Sequence, residues 1–288
     1  MTTRRIESPL SSTLIQASAN CLPLASESVQ CVVTSPPYFG SVRVYQGAQV
    51  VPGWGCVLGE ERDPSEYAAH LVEVFSEVRR VLREDGTLWL NIGDVYAASG
   101  KGGGGIRGGR ATNWNAVVTD RKGFRMPPAG FKQKDITSVP FTVAAALRED
   151  GWYHRATIIW SKPCAVEPKR LDRPSVSHEY LFLMSRSEQY AARDPGEPWW
   201  QRSVWDISPA GSAAHPATFP EELPRRCILA GSQEGDTILD PFNGSGTTGR
   251  VAIRHGRSYI GVDISREYLA EQATKRIDRV QHVMGGLS

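Results

Sequence analysis

Two spacings of apolar residues alternate along this chain. Residues 29–34, Val-Gln-Cys-Val-Val-Thr, form a short β-branched run that predicts a buried strand. Leu14-Ile15-Gln16 suggests an earlier short strand, and residues 22–29 a short helix or turn. Asp63-Pro64-Ser65-Glu66 has the signature of a helix start: an Asp cap, Pro at the first position and Glu three after the cap. Tyr67, Leu71, Val74, Phe75, Val78, Val81 and Leu82 then recur at helical spacing, and Gly86 is expected to end that helix. Thr87 to Ile92 reads as a strand closed by Gly93-Asp94. Farther on, the pattern predicts a helix from Phe141 to Arg148 stopped at Gly151, and strands from Trp152 to Trp160 and from Glu179 to Ser185. It then predicts a helix from Pro220 to Ala230, a strand from Thr237 to Asp240, a helix from Gly246 to His255, a strand from Tyr259 to Val262 and a last helix from Arg266 to Val280. Strands alternating with helices imply an α/β fold with a largely parallel sheet covered on both faces.

Composition refines this picture in three places. Residues 97–135 contain nine glycines, eight Lys or Arg and two Asp with no periodicity, which predicts a mobile basic insertion. Residues 186–214 are loop-like and rich in Pro and Trp. The net charge of the whole chain is only +2, so any nucleic-acid footprint must be a local patch. The five cysteines, Cys21, Cys31, Cys56, Cys164 and Cys227, are odd in number, widely spaced and free of any Cys-x-x-Cys. That predicts a reduced, cytoplasmic setting, with neither a disulfide framework nor a metal site. The first residues lack the apolar run of a signal peptide, and no stretch approaches 18 apolar residues, so no membrane partner is expected.

Two stretches carry candidate chemistry. Thr34-Ser35-Pro36-Pro37-Tyr38 follows the first buried strand. The prolines cannot donate ladder hydrogen bonds and fix φ, so the strand ends in a stiff turn. The Ser35 hydroxyl and a proline carbonyl offer acceptors beside the flat face of Tyr38, a surface suited to a planar group bearing an NH2. The same five residues also suit a plain, rigid surface turn. The second stretch is Asp240-Pro-Phe242-Asn243-Gly244-Ser-Gly246-Thr247-Thr248-Gly249, between a strand and a helix. Gly244, Gly246 and Gly249 fit a Gly-x-Gly-x-x-Gly pattern, and Asp263 lies 19 residues after Gly244 at the end of the next strand. Such a loop brings backbone and a helix N-terminus to a ligand, and the later acid can accept from ribose hydroxyls. A Walker phosphate loop would need Lys after Gly246, where Thr247 stands. A nicotinamide or flavin dinucleotide and S-adenosylmethionine remain as candidate ligands.

Together these stretches make the chain resemble the β-type amino-methylating DNA methyltransferases, over most of its length. Thr34 to Tyr38 matches the family's catalytic Ser/Asp/Asn-Pro-Pro-Tyr/Phe motif, in the Ser form typical of the N4-cytosine enzymes of restriction-modification systems. Asp240 to Thr248 matches its cofactor motif, and Tyr259 to Asp263 followed by Glu267-Tyr268 the next segment. His215 to Leu223, Ile159 to Pro163, Asp172 to Pro174, His178 to Tyr180 and Arg202 to Trp205 also fit. The family often carries Gly-Asp some way before the catalytic motif, where this chain has Gln16-Ala17-Ser18-Ala19, with Ser18 as the substitute polar contact. The resemblance implies a Rossmann-like methyltransferase with a mixed, mostly parallel sheet, circularly permuted motif order and a small target-recognition region. The expected organisation is a catalytic half at 1–96, the insertion at 97–135, continued core at 136–185, a target-recognition region at 186–214 and an S-adenosylmethionine-binding half at 215–288.

The resemblance implies methyl transfer from S-adenosylmethionine to the N4 amine of a flipped cytosine in double-stranded DNA, with the N6 amine of adenine as alternative and a non-catalytic regulator as distant alternative. Ser35, Pro36, Pro37 and Tyr38 are the expected catalytic residues. Thr34, Ser18, Phe219, Asp240, Phe242, Asn243, Gly244, Gly246, Thr247, Thr248 and Asp263 are the expected cofactor contacts. Lys101, Arg107, Arg110, Arg121, Lys122, Arg125, Lys162, Arg173 and Arg202 are expected on DNA, with Arg186 and Arg193 as further candidates. A homodimer and a cognate restriction endonuclease are expected partners. Pro163-Cys164 has the nucleophile dipeptide of C5-cytosine enzymes without their other motifs, so Cys164 is expected to be structural. His178, His215, Trp89, Trp152 and Trp160 are likewise expected to be structural, while Trp199, Trp200 and Trp205 fit either packing or DNA. If residues 97–135 hold phosphates, their deletion weakens DNA binding and flattens the slope of log Kd against log salt. An unchanged slope in fluorescence anisotropy contradicts that role.

Overall fold

The computed structural model describes residues 10–40, 50–51, 53–97, 127–128, 130–163, 172–209 and 219–278. Eight strands form one sheet: β1 (Ser12–Gln16), β2 (Val29–Thr34), β3 (Leu82–Ile92), β4 (Tyr153–Ser161), β5 (His178–Ser185), β6 (Val204–Asp206), β7 (Thr237–Asp240) and β8 (Ser258–Asp263). Their order is β1-β8-β7-β2-β3-β5-β4-β6. Every neighbouring pair is parallel except the two that β5 makes, with β3 and β4. The sheet is thus mixed and mostly parallel, as expected. The two expected halves of the methyltransferase interleave in it, because β1 from the start of the chain pairs with β8 from its end.

The helices are α1 (Pro64–Val81), α2 (Val139–Glu149), α3 (Glu222–Gly231), α4 (Thr247–Arg254) and α5 (residues 266–278, π-helical over Tyr268–Ala273). Alternate strand residues separate two cores. Val32, Leu88, Leu90, Phe182 and Leu239 pack with α1 and α2, through Leu71, Phe75, Val143 and Leu147. Cys31, Val33, Trp89, Leu183 and Ile238 pack with α3 and α4, through Cys227, Ile228, Val251 and Ile253. Both faces are covered, which is why the central strands read as continuous apolar runs rather than alternating ones. Among the described residues, no helix is long and apolar enough to cross a membrane.

Two expectations change. The first helix ends at Val81 rather than at Gly86, and β3 begins at Leu82. Leu82 is extended (φ −73°, ψ 137°) and pairs with Val29, with a register shift before Cys31 pairs with Thr87. Its buried side chain continues the helical spacing while its backbone has already joined the sheet, so periodicity alone misplaces the boundary. Residues 186–214 are less loop-like than their composition suggests. They hold a 3-10 turn (Pro198–Gln201) and the edge strand β6. Trp199 and Trp205 are buried there, Trp205 stacked 6.2 Å from Trp89, and Trp200 packs on the same core. Those tryptophans are packing residues, as are Trp89, Trp152 and Trp160.

The predicted helix start is present in detail. Asp63 is extended at the cap of α1 and accepts from the Ser65 and Glu66 amides at 2.8 and 3.0 Å. Asp63→Ala should cost about 1 kcal/mol of stability, while Asp63→Asn retains most of it. Urea denaturation of the two variants measures the difference.

Candidate active site

The strand order places the two motif loops side by side. From β2 the chain goes through α1 to β3, on one side; from β7 it goes through α4 to β8, on the other. β2 and β7 are neighbours, so their carboxyl ends flank the point where the connections diverge, the usual crevice for ligands in open α/β sheets. Thr34-Ser35-Pro36-Pro37-Tyr38 leaves one end and Asp240 to Thr248 leaves the other.

A buried carboxylate clips them together. Thr34 Oγ1 donates to Asp240 Oδ1 at 2.7 Å, and Thr248 Oγ1 donates to Oδ2 at 2.8 Å. The Phe242 amide adds a third bond at 3.1 Å. Asp240, Thr34 and Thr248 are all buried. Their side chains therefore hold the crevice together from beneath and face one another. Burial pushes the Asp240 carboxyl up to about 6, against the hydrogen bonds from Thr34, Thr248 and Phe242, which favour the charged form.

On the catalytic side, Ser35 Oγ donates to the Tyr38 hydroxyl at 3.1 Å. That hydroxyl lies 2.7 Å from Glu179 Oε2 and 2.9 Å from Asn91 Oδ1. Glu179 is ion-paired with Lys162, whose ammonium also sits 4.4 Å from the centre of the Trp160 ring. Asn91 Nδ2 donates to the Tyr180 carbonyl, which fixes its amide with the oxygen towards Tyr38. Behind the turn, Tyr67 donates to the Pro37 carbonyl at 2.9 Å. A Cβ at Gly93 would lie 2.8 Å from Tyr38 Cε2, so the ring rests directly on backbone at the end of β3. Ser35 and Tyr38 are partly exposed, whereas Pro36 is buried.

On the cofactor side, Asp263 receives the Gly244 amide on Oδ2 and the Ser265 amide on Oδ1, each at 2.8 Å. Burial raises its carboxyl above the ordinary carboxylate range. Each oxygen keeps a lone pair, so the half-buried carboxylate suits a ribose diol. Asn243 is turned inward, accepting from Tyr259 at 2.7 Å and donating to the Gly244 carbonyl at 2.9 Å, so it pins the loop. The three glycines divide their tasks. Gly244 (φ +48°) has no atom nearer than 3.8 Å to a built Cβ, whereas Gly246 lies against Ala273 and Gly249 against Tyr259 and Ile277. Only the first is free to approach a ligand; the others let α5 and β8 pack closely. Ser18 follows β1 and donates to Asn20 at 2.6 Å, while the neighbouring Ala17 amide reaches the Asp263 carbonyl at 3.2 Å. Ser18 is therefore placed beside the Asp263 corner. Phe219 is half-buried against the α3–α4 core. These groups fit a nucleoside with a cationic, non-phosphorylated tail, because no Lys or Arg stands in the loop between Asp240 and Gly249.

The expected DNA contacts fare differently. Lys101, Arg107, Arg110, Arg121, Lys122 and Arg125 lie outside the described residues, as do Cys164 and His215. Lys162 is committed to Glu179 and largely buried, so it supports the site rather than a phosphate. Arg173 stacks 3.7 Å from the centre of the Tyr96 ring. Arg202 and Arg193 are exposed. Arg186 pairs with Glu27 and the Leu82 carbonyl at the opposite end of the sheet, which removes it from the crevice. Asn91, Gly93 and the role of Glu179 escape sequence reasoning. The available signal is a lone amide in the apolar run Trp89-Leu90-Asn91-Ile92.

Comparison with known proteins matches the same regions. The sequence model of the DNA methylase family of N6/N4 methyltransferases matches residues 29–275. Type II methyltransferase M.Cfr9I of Citrobacter freundii is 42% identical over 255 residues, 85% of this chain and 80% of that protein. The crystal structure of TTHA0409 from Thermus thermophilus, complexed with S-adenosyl-L-methionine, superposes with TM-score 0.63 at 26% identity, covering 93% of this chain and 94% of that one. PvuII DNA methyltransferase (cytosine-N4-specific) superposes with TM-score 0.64 at 18% identity, over 96% and 93% of the two chains, and shows the shared fold.

The Asp240 clip sets a pH dependence. Its folded carboxyl titrates above the unfolded value, so its protonation stabilises the fold fully below pH about 4, and that stabilisation is lost as pH rises through about 6. Relative to Asp240→Asn, which cannot ionise there, the natural protein should lose stability across that window and hold a constant difference above it. Thermal melts of both proteins against pH measure this; a pH-independent difference contradicts it.

Proposed function

The chain belongs to the DNA methylase family of N6/N4 methyltransferases and is an S-adenosylmethionine-dependent DNA methyltransferase, and we propose that its target is the N4 amine of cytosine. The observation that carries this reading is Ser35: a neutral hydroxyl stands where the motif admits Asp or Asn, and Ser is the form typical of N4-cytosine enzymes. The name of the PvuII enzyme, cytosine-N4-specific, supports it from a fold-level neighbour. The type II names of the nearer relatives support a role beside a cognate restriction endonuclease.

Cytosine in a duplex is stacked and paired, so the base is flipped into the crevice before reaction. Tyr38 stacks on it. The Ser35 hydroxyl accepts one amino hydrogen and the Pro36 carbonyl the other. Ser35 is prepared for this because its own proton is already donated to Tyr38, leaving its lone pairs for the substrate. Tyr38 in turn bonds Glu179, whose negative charge lies near the positive charge that develops on nitrogen. S-adenosylmethionine supplies the electrophilic methyl group at its sulfonium centre. Asp263, Gly244 and the first turn of α4 hold its ribose and carboxylate ends. The Asp240 clip fixes the spacing between the two loops, so the chain's contribution is mainly alignment.

Ser35→Ala and Tyr38→Ala should lose most methyl transfer while S-adenosylmethionine binding is kept, and Cys164→Ala should retain activity. Gly93→Ala, by displacing the Tyr38 ring, should lower kcat/KM by about 100-fold. Incubation with labelled S-adenosylmethionine and genomic DNA, followed by nucleoside analysis, tests the base. N4-methylcytosine is the expected product; N6-methyladenine or full turnover by Ser35→Ala overturns the reading.

A further inference from the structure

On the far side of the catalytic turn, a second cluster of side chains has no place in the reaction above. Cys56, Glu61 and His70 present a sulfur, a carboxylate oxygen and an imidazole nitrogen, all within 4.8 Å of one another. They come from three pieces of chain: the loop after residue 53, the stretch just before α1, and the second turn of α1. Sequence spacing alone argues against a metal site, since no two of these residues form a recognised ligand pair.

The cluster is built rather than incidental. The Glu61 side chain is fully buried; one oxygen lies 2.9 Å from His70 Nδ1 and the other accepts the Gly59 amide at 2.7 Å. The His70 ring is clamped by Trp54, stacked 4.1 Å away at 7°, and Trp54 is itself held by a bond from its indole to Glu73. Cys56 is half-buried and leaves one side open to solvent. Burial, followed by the charges of Glu61, Glu66 and Glu60, pushes its thiol up to about 11. That surplus of negative potential is what a divalent cation would offset.

We propose that Cys56, Glu61 and His70 bind a zinc ion that braces the catalytic turn. A thiolate, an imidazole and a carboxylate are a zinc-type donor set; calcium and magnesium call for oxygen ligands throughout. Binding releases the Cys56 proton to solvent, and His70 ligates through Nδ1 with its remaining proton on Nε2. A water completes the coordination. The ion ties the loop before α1 to the helix itself. That loop supports the catalytic turn directly: Gly59 accepts from the Gly40 amide at 2.9 Å, and a Cβ on Gly59 would lie 2.8 Å from the Tyr38 carbonyl oxygen. The zinc site therefore acts on the position of Tyr38 from behind, without touching substrate.

The test uses full-length, tag-free protein stripped with a chelator, and is independent of which base is methylated. Zinc is titrated against a chromophoric competitor, and cobalt is added separately. The expected result is one zinc per chain, a higher Tm with zinc, and a thiolate-to-cobalt charge-transfer band. Cys56→Ser, at a half-exposed position that leaves the fold intact, should weaken zinc binding at least about tenfold and abolish the band. Cys21→Ser should change neither. Absence of stoichiometric zinc binding, or zinc binding and a cobalt band unchanged in Cys56→Ser, overturns the proposal.

Discussion

The hydrogen-bonded carboxylate of Asp240 is the contact on which the site depends. It receives Thr34 from one loop and Thr248 from the other, in a place water does not reach. Each bond is modest by itself, but a buried carboxylate left without either partner would be costly. The two loops come from strands more than two hundred residues apart in sequence, and side-by-side strands alone would leave their relative height and tilt loose. The clip removes that freedom. It also explains why three residues that look like ligand contacts in the sequence turn their side chains away from the crevice: they set the distance between the methyl donor's loop and the acceptor's turn.

The second constraint acts on Tyr38. Its hydroxyl is tied to Ser35, Asn91 and Glu179, and its ring lies on Gly93. An aromatic platform must hold its plane to stack usefully on a base, and two χ angles would otherwise let it swing. The Lys162–Glu179 pair beneath it is a neutralised, largely buried unit whose worth lies in geometry more than in net stability.

Much of this was legible from the amino acids. The β2 strand, the capped start of α1, the strand–loop–helix around Asp240 and the acid at Asp263 each obey local rules, so local reading finds them. What local reading misses is set by tertiary contact. Leu82 belongs to a helix by spacing and to β3 by pairing. Lys162 looks like a free cation until β5 supplies Glu179. Gly246 and Gly249 look like ligand-approach positions until α5 and β8 fill the space above them. Asn91 carries no motif; its importance exists only once β3 and the catalytic turn are neighbours.

The Tyr96–Ile136 bridge has one last consequence. With the Ala97 amide bonded to the Asp135 carbonyl and the Lys134 amide to the Ala97 carbonyl, the two ends of the glycine-rich insertion are fastened together. Arg173 over Tyr96 and the Lys134–Asp172 pair brace that neck from outside. A segment that leaves and re-enters through a closed neck can be lengthened, shortened or exchanged at little cost to the sheet, since loop closure grows only slowly with length. The neck is thus a splice point: a place where one scaffold can accept different DNA-facing cassettes, by evolution or by design, while the chemistry beneath stays unaltered.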